Sequence, residues 1–216
     1  MQLELSSISL FNDLNNEQLN VLSQIINIKE YKEGEFVFIE GGQSDVFYII
    51  HTGKMKIVKS SIDGKEKILE IMTDGDFLGE MGVIEDKPRS ANGVAITQLK
   101  LLYIEKGDFL KLIRNNPIIA LKIIVELGRR LRRANKDIEL LAFFDVETRL
   151  KDLFERMAVN IKGSDVKVLD KITHHQIADH IGTSRETVTR MINKMIDKKL
   201  IEIRKENIVL MNLEKW

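Results

Sequence analysis

Residues 173–190 have the sequence THHQIADHIGTSRETVTR, which is typical of two short helices joined by a tight turn. Two threonines are each followed three residues later by Gln or Glu: Thr173 by Gln176, and Thr183 by Glu186. This spacing fits the capping box, in which both side chains bond the first free N–H groups of a helix. The stretch therefore predicts one helix start at each threonine.

Gly182 lies between the two predicted helices, where a tight turn needs a residue without a Cβ. Each helix also has apolar side chains on one face, as packing on a core requires. These are Ile177, Ile181, Val188, Ile192 and Met195. Two short helices joined in this way predict a helix-turn-helix.

The outward face of the second helix carries Arg185, Glu186, Thr189 and Arg190. Arginine can donate two hydrogen bonds to O6 and N7 of guanine, and glutamate can accept one from N4 of cytosine. The structural alternative is a solvated face on which Glu186 pairs with Arg190 one turn later. We favour DNA recognition because the caps, the turn and the local charge agree with it.

A predicted hairpin follows the second helix, with apolar runs at 200–203 and 208–211 around a polar stretch. A hairpin directly after a helix-turn-helix is a wing, which could bring Arg204 or Lys205 near a DNA phosphate. Residues 145–216 therefore predict a winged helix-turn-helix domain.

The net charge is zero, but the charges are distributed unevenly along the chain. Residues 1–110 contain 11 Lys+Arg and 18 Asp+Glu, residues 111–170 contain 13 and 9, and residues 171–216 contain 9 and 6. The net charges of the three segments are thus −7, +4 and +3. This asymmetry predicts that the C-terminal part binds a polyanion.

The N-terminal half has the pattern of a sheet protein. Nine of the 13 glycines fall between residues 34 and 93, among short apolar runs at 36–39, 46–50, 55–58 and 67–71. Asp63-Gly64 and Asp74-Gly75 are turn signals. Short strands separated by such turns predict a sandwich or barrel.

From Pro117 onward the period becomes helical, and proline suits the first turn of a helix. Apolar residues then recur at spacings of 3, 4, 3, 4 and 3: Ile124, Leu127, Leu131, Ala134, Ile138 and Leu141. The alternative is an amphipathic helix packed on its own domain. The stripe is narrow and flanked by four arginines at 129–133, so residues 117–144 predict a helix paired in a homodimer, followed by a hinge.

The chain contains no cysteine, which excludes disulfides, thiolate zinc sites, cysteine-ligated iron–sulfur clusters and a cysteine nucleophile. A heme would depend on His51 alone, and His174, His175 and His180 lack acidic or thiolate partners at metal spacing. We therefore expect no metal, heme or iron–sulfur cluster. No constellation of nucleophile, base and orienting group is present, so we expect no enzyme.

No run approaches the ~18 apolar residues of a membrane span. Glu4 stands where a signal peptide would carry positive charge. We expect a cytoplasmic protein without a membrane partner.

Residues 79–91, GEMGVIEDKPRSA, lie between the strand pattern and the long helix. Together with the glycine-rich strands and TSRETVTR, they resemble the CRP/FNR family of bacterial transcription regulators, of which the founder is a known helix-turn-helix protein. The resemblance implies an α+β fold: an effector-sensing, cyclic-nucleotide-binding-type β-roll over 1–116, then the dimerisation helix and the winged helix-turn-helix. It implies double-stranded DNA, a second copy of this chain and RNA polymerase as partners.

The resemblance also assigns ligand roles, with cyclic AMP as the first candidate effector. Gly79 would present its N–H, Glu80 would accept from the ribose 2′-hydroxyl, and Arg89 with Ser90 would hold the cyclic phosphate. Met81 belongs to the same motif, and Arg130 matches a family arginine. The implied DNA-binding residues are Thr173, His174, Ser184, Arg185, Glu186, Thr189 and Arg190. The operator would be an inverted repeat with half-sites like TGTGA.

The match weakens where a base would bind, because cyclic-AMP receptors carry a Thr-Ser pair at the positions of Ala134 and Asn135. Asn135 can donate and accept hydrogen bonds, but Ala134 cannot. The alternatives are a ligand-independent regulator, a sensor of a cyclic dinucleotide, or a regulatory module of an enzyme, which would not need residues 173–211. For Arg89, the alternative is a salt bridge to Glu80, Glu85 or Asp86.

Overall fold

The computed structural model describes residues 5–61, 66–160, 167–170, 172–205 and 207–211. The chain forms two compact units, Met1–Leu131 and Arg132–Trp216, each with its own hydrophobic core. Within the described ranges, no helix is long and apolar enough to cross a membrane. The turn signal at Asp63-Gly64 lies outside these ranges.

The first unit combines short antiparallel strands with helices at both ends. Its helices are α1 (Asn16–Ile25), α2 (Glu80–Glu85), α3 (Lys106–Asn115) and the first part of α4 (Pro117–Phe143). Its strands are β1 (Asn27–Tyr31), β2 (Phe36–Phe38), β3 (Val46–Thr52), β4 (Met55–Ser60), β5 (Glu66–Met72), β6 (Phe77–Leu78), β7 (Asn92–Ala95) and β8 (Leu99–Glu105).

These strands form two four-stranded sheets, in the orders β1-β8-β3-β6 and β2-β7-β4-β5. Alternate side chains of a strand point to opposite faces, so each sheet can turn one apolar face toward the other. A buried cluster contains residues of both sheets, including Tyr48 and Leu101 from the first and Met55 and Met72 from the second. These packed sheets fit the sandwich or barrel that the N-terminal pattern predicts, and they form the β-roll that the resemblance implies.

The helix α4 begins at Pro117 and runs for 27 residues. Its predicted seam is exposed rather than packed: Ile124, Leu131 and Ile138 are 62%, 63% and 63% exposed. Leu127 is the partly buried member of the seam and packs on the core of the first unit. Contiguous exposed apolar surface of this kind is typical of an interaction site.

The second unit contains α5 (Val146–Met157), α6 (His174–Ile181), α7 (Arg185–Asp197) and a sheet in the order β11-β12-β10-β9. The strands are β9 (Val159–Asn160), β10 (Lys167–Asp170), β11 (Ile201–Arg204) and β12 (Asn207–Leu210). The five apolar residues predicted to face inward on α6 and α7 are all buried in its core. The predicted α+β fold class, with a helix-turn-helix and a hairpin after it, is confirmed.

One predicted helix start is wrong. The N-cap of α7 is Ser184, not Thr183, and the Ser184 side chain accepts from the Thr187 N–H at 3.2 Å. Gly182 takes the left-handed conformation at the end of α6, and the Thr183 N–H bonds back to Ala178 O at 3.1 Å. Thr183 is therefore still part of the turn, so the first extended residue, which can act as a cap, comes one position later.

Candidate ligand pocket and DNA-recognition surface

Arg89 is a buried cation in the segment between α2 and β7, with only 6% of its surface exposed. Its backbone pairs with the loop after β2, since its N–H donates to Gly42 O and its carbonyl accepts from Gly41 N–H, both at 2.9 Å. Its guanidinium donates to Val46 O at 2.7 Å and to Gly79 O at 3.4 Å. Neutral backbone carbonyls thus fix the orientation of this charge.

The predicted alternative of a salt bridge to Arg89 is wrong. Its three candidate acids are all paired elsewhere: Glu80 with Arg130 at 3.3 Å, Glu85 with Lys87 at 2.8 Å, and Asp86 with Lys106. Among the described residues, no carboxylate lies within ion-pair distance of the Arg89 guanidinium. A buried charge without a counter-charge is costly, so the arrangement favours an anion from outside the chain.

Two aromatic rings complete the surroundings of Arg89. Its guanidinium carbon lies 4.8 Å from the ring centre of Phe38 and 5.4 Å from that of Tyr48. Burial lowers the pKa of Arg89, while the nearby Tyr48 and Glu80 act in the opposite direction. Cation–π contact offsets part of the lost hydration without cancelling the charge.

Two glycines make room for these groups. Gly79 has φ +86°, and a Cβ there would lie 2.3 Å from Arg89 Nη1 and 2.8 Å from Val46 O. A Cβ on Gly82 would lie 2.0 Å from Ser44 Oγ. All three distances are far below van der Waals contact, so any side chain at position 79 or 82 would displace a polar group of the pocket.

Glu80 is 2% exposed and belongs to a cluster of charges around Arg130. Arg130 donates to Glu80 Oε1 at 3.3 Å and to Phe77 O at 2.6 Å, and its Nε lies 3.5 Å from Glu126 and 3.7 Å from Glu70. Burial raises the pKa of Glu80, and Arg130 lowers it by a smaller amount. In this conformation Arg130 orients Glu80.

Four buried polar atoms around residues 79–82 have no hydrogen-bond partner among the described residues, but one of them, Arg130 Nε, lies within ion-pair distance of Glu126 and Glu70. The other three are Ser44 Oγ, Glu80 Oε2 and Arg89 Nε. Together they offer a hydroxyl, a carboxylate acceptor and a cationic donor. A ligand that combines an anionic group with a hydroxyl would satisfy them, and a cyclic nucleotide, with its phosphate and ribose, fits this set of groups.

The other predicted ligand residues lie in more open positions. Met81 is 48% exposed on α2, and Ser90 is exposed directly after Arg89. Asn135 is exposed on the part of α4 that belongs to the second unit. Their predicted contacts with a ligand stay predictions.

The helix-turn-helix is held by caps on both helices. Thr173 and Gln176 form the predicted capping box at the start of α6. Ser184 caps α7, as described above. The Arg149 side chain on α5 donates to Ile181 O at 2.8 Å, which satisfies a carbonyl at the end of α6. These bonds fix where α7 begins and therefore which side chains it presents.

Arg185, Glu186 and Arg190 are exposed on α7. The predicted alternative of a Glu186–Arg190 ion pair is not found in the described part of the chain, so both side chains are available. Thr189 is engaged: its Oγ1 donates to Arg185 O at 3.0 Å and lies 2.8 Å from His174 Nδ1. The tautomer of His174 decides which of the two atoms donates in that contact.

One of the two cations predicted for the wing has an acidic partner in this structure. Arg204 donates from Nε and Nη2 to the Glu202 carboxylate, at 3.0 and 2.9 Å. Its guanidinium is therefore already paired, while Lys205 beside it is exposed. Glu206, at the tip of the predicted hairpin, lies outside the described residues.

No sequence pattern marks the three groups that contact Arg89 from the strand side, which are Phe38, Val46 and Tyr48. They lie 41 to 51 positions before Arg89, and only tertiary structure brings them together. The one available signal was Gly41-Gly42, a turn placed just before a strand.

Comparison with known proteins matches both units. Residues 28–116 match a family model described as cyclic nucleotide-binding domain, and residues 148–215 match one described as Crp-like helix-turn-helix domain. The chain is 30% identical over 191 residues to the cAMP-activated global transcriptional regulator CRP of Escherichia coli O6:H1, covering 85% of this chain and 89% of that protein.

Two further comparisons extend over most of the chain. The cyclic AMP receptor protein of Thermus thermophilus is 29% identical over 194 residues, covering 90% of this chain and 88% of that protein. The solved structure of the c-di-GMP responsive global regulator CLP of Xanthomonas campestris has the same fold, with a TM-score of 0.80 at 23% identity. That match covers 92% of this chain and all of the CLP chain.

Proposed function

This chain belongs to the CRP/FNR family of DNA-binding transcription regulators, and from that premise we propose that it is a homodimer whose affinity for DNA depends on a cyclic nucleotide bound in the β-roll. The curated relative of Escherichia coli O6:H1 is named as a transcriptional regulator and not as an enzyme. The proposal concerns the effector, the dimer and the operator.

The observation that carries the proposal is the buried, unpaired Arg89. A phosphate supplies the negative charge that the described acids do not, and Arg89 Nε remains available to bond it. In this proposal Arg89 and Ser90 hold the phosphate, and Gly79 allows the backbone to approach it. Glu80 accepts from the ribose hydroxyl through its free Oε2, and Arg130 keeps Glu80 in place.

Cyclic AMP is the proposed effector because both curated relatives carry it in their names. A cyclic dinucleotide is the second candidate. It is favoured by Ala134, which cannot form the hydrogen bond that a hydroxyl would give to adenine, and by the likeness in fold to a regulator that responds to c-di-GMP. Asn135 is the side chain we propose for contact with a base.

The exposed seam of α4 supports the homodimer. Ile124, Leu131 and Ile138 lie on one stripe with more than half of their surfaces exposed, and an identical helix would cover them. A twofold dimer requires an inverted-repeat operator with half-sites about one DNA turn apart. We propose half-sites like TGTGA, contacted by Arg185, Glu186 and Arg190.

On DNA, Thr173, His174 and Ser184 at the starts of α6 and α7 would contact the backbone. His174 keeps Thr189 in place, so that Thr189 faces DNA with its hydroxyl already bonded.

The functional division at 1–116, 117–144 and 145–216 remains part of the proposal, as do a cytoplasmic location and RNA polymerase as a partner. Effector binding can change DNA affinity only by favouring one arrangement of the dimer over another.

Calorimetry tests the effector. Wild type, Arg89→Leu and Arg114→Leu are titrated with cyclic AMP, cyclic GMP and cyclic di-GMP. Arg114 is an exposed arginine of α3 and serves as the matched control. We expect one ligand to bind wild type and the control equally, and to bind Arg89→Leu at least ~100-fold more weakly. Absence of heat with all three ligands would overturn the sensor proposal.

A further inference from the structure

Ser44 lies in the loop between β2 and β3 and is 7% exposed, yet its hydroxyl has no hydrogen-bond partner among the described residues. Buried hydroxyls are normally bonded, because removing one from water without a partner costs free energy. An alanine would fill almost the same space without that cost. The hydroxyl at this position therefore needs an explanation.

Ser44 belongs to the same small region as Arg89. Two residues after Ser44, the Val46 carbonyl accepts from Arg89 Nη2 at 2.7 Å. Two residues before it, the Gly42 carbonyl accepts from the Arg89 N–H at 2.9 Å. The loop that carries Ser44 is thus bonded to Arg89 on both sides of the serine.

The position of the hydroxyl is fixed by α2. A Cβ on Gly82 would lie 2.0 Å from Ser44 Oγ and 2.6 Å from Ser44 Cβ, so the serine packs directly on the glycine backbone. At the other end of the same segment, a Cβ on Gly79 would lie 2.3 Å from Arg89 Nη1. Residues 79–82 therefore have the Ser44 hydroxyl at one end and the Arg89 guanidinium at the other.

We infer that the Ser44 hydroxyl donates a hydrogen bond to the phosphate of the bound nucleotide, as a neutral donor beside Arg89. Phosphate oxygens are acceptors only, so they match a free O–H as well as a free N–H. Glu80 Oε2, the remaining unpartnered atom, is an acceptor and suits a ligand hydroxyl instead. This inference rests on the proposed function, since it names a further residue of the same site.

The Ser44→Ala variant separates this role from a structural one. We expect it to bind the tightest of cyclic AMP, cyclic GMP and cyclic di-GMP about 10- to 100-fold more weakly than wild type, the range for a bond to a charged group. The Tm of the ligand-free variant should be unchanged or higher, because no internal hydrogen bond is lost. A structural hydroxyl would give the opposite result in the ligand-free protein.

Ser23→Ala is the matched control, since Ser23 is an exposed serine whose hydroxyl donates to Asn20 O at 2.7 Å. It should leave ligand affinity unchanged. Full affinity of Ser44→Ala, or a lower Tm of that variant without ligand, would overturn the inference and leave the Arg89 site intact. A wild-type protein that binds none of the three ligands would instead overturn the proposed function, and this inference with it.

Sulfur substitution identifies the atom contacted, if cyclic AMP is the ligand that binds. The two phosphorothioate diastereomers of cyclic AMP replace one exocyclic oxygen each, and sulfur is the weaker acceptor. We expect the ratio of their affinities to differ between wild type and Ser44→Ala. Identical ratios in both proteins would place the hydroxyl away from the phosphate and contradict the inference.

Discussion

The pocket around Arg89 and the exposed face of α7 both use arginine and glutamate, but they keep these residues in opposite states. Arg89 and Glu80 are 6% and 2% exposed, and each keeps a polar atom without a partner. Arg185 and Glu186 are exposed to solvent, and the helix that carries them is capped. The pocket has lost hydration before its ligand arrives, whereas the DNA-recognition face loses it only on contact.

This difference indicates how each site is specified. In the pocket, close packing against Gly79 and Gly82 fixes the groups, so a small ligand meets atoms whose positions are already set. On α7, the cap fixes where the helix begins, and the recognition side chains are exposed to solvent. Four changes test the contrast, from the largest expected effect to the smallest.

Gly79→Ala should affect the pocket most. The positive φ alone costs roughly 1 to 3 kcal/mol for a residue with a Cβ, and the new atom would collide with Arg89 and Val46 O. We expect a loss of stability of at least that size in urea unfolding, and a loss of ligand affinity of at least ~100-fold in calorimetry. Gly107→Ala is the control, because a Cβ there meets nothing within 4 Å; it should raise stability by about 0.5 to 1 kcal/mol. Wild-type affinity in Gly79→Ala would mean that the pocket is not preformed.

Arg185→Ala should weaken operator binding by about 1 to 3 kcal/mol and relax the preference at one base pair. Fluorescence anisotropy on an operator and its single-base variants measures both effects. Lys194→Ala is the comparison on the same helix, since Lys194 is paired with Glu147 and should matter less. An equal loss on every sequence would show that Arg185 contacts only phosphate.

Ser184→Ala should destabilise the protein by about 1 kcal/mol, because it removes the side-chain cap of α7. Thr183→Ala should cost clearly less, since Thr183 is not the cap. Urea unfolding of the two variants compares them directly. The reverse order would restore the start that the capping-box pattern predicts.

Glu80→Gln tests the pocket through pH. Burial raises the Glu80 pKa above its ordinary value of 4.5, so the folded state holds this proton at a pH where the unfolded chain has released it. This group therefore makes the ligand-free wild type more stable as pH falls through the raised pKa toward 4.5. Glu80→Gln lacks this dependence and should be at least as stable as wild type at pH 7. Parallel stability curves for the two proteins would exclude the raised pKa. We expect this to be the smallest of the four effects.

The fold class could be predicted because its signals are local. The capping box at Thr173, the period of α4 and the glycine-rich strands each lie within one segment, and the structure contains all three elements. The predicted start of α7 is one residue too early, because Thr183 and Ser184 are both residue types that cap helices well. The choice between them depends on how Gly182 ends the preceding helix, and a residue pattern does not specify that.

The pocket was only half predictable. Residues 79–90 form one continuous motif, so Glu80 and Arg89 could be found in the sequence. Phe38 and Tyr48 could not, because they lie in different sheets and only tertiary packing brings their rings to Arg89. Ser44 could not either, because it meets this segment only through its packing on Gly82. The partners of Glu80 and Asp86 were equally hidden, since Arg130 and Lys106 lie on other elements.

The Glu147 side chain on α5 has a consequence for the thermodynamics of DNA binding. It holds Lys194 at 2.7 Å and Lys198 at 3.2 Å. Salt dependence of DNA binding comes from the ions displaced when protein cations meet phosphates. The single carboxylate of Glu147 offsets one of these two positive charges, so the group displaces fewer ions than two unpaired lysines would. The affinity of this protein for its operator should therefore fall less steeply with salt than the lysine and arginine count of the α7 region implies.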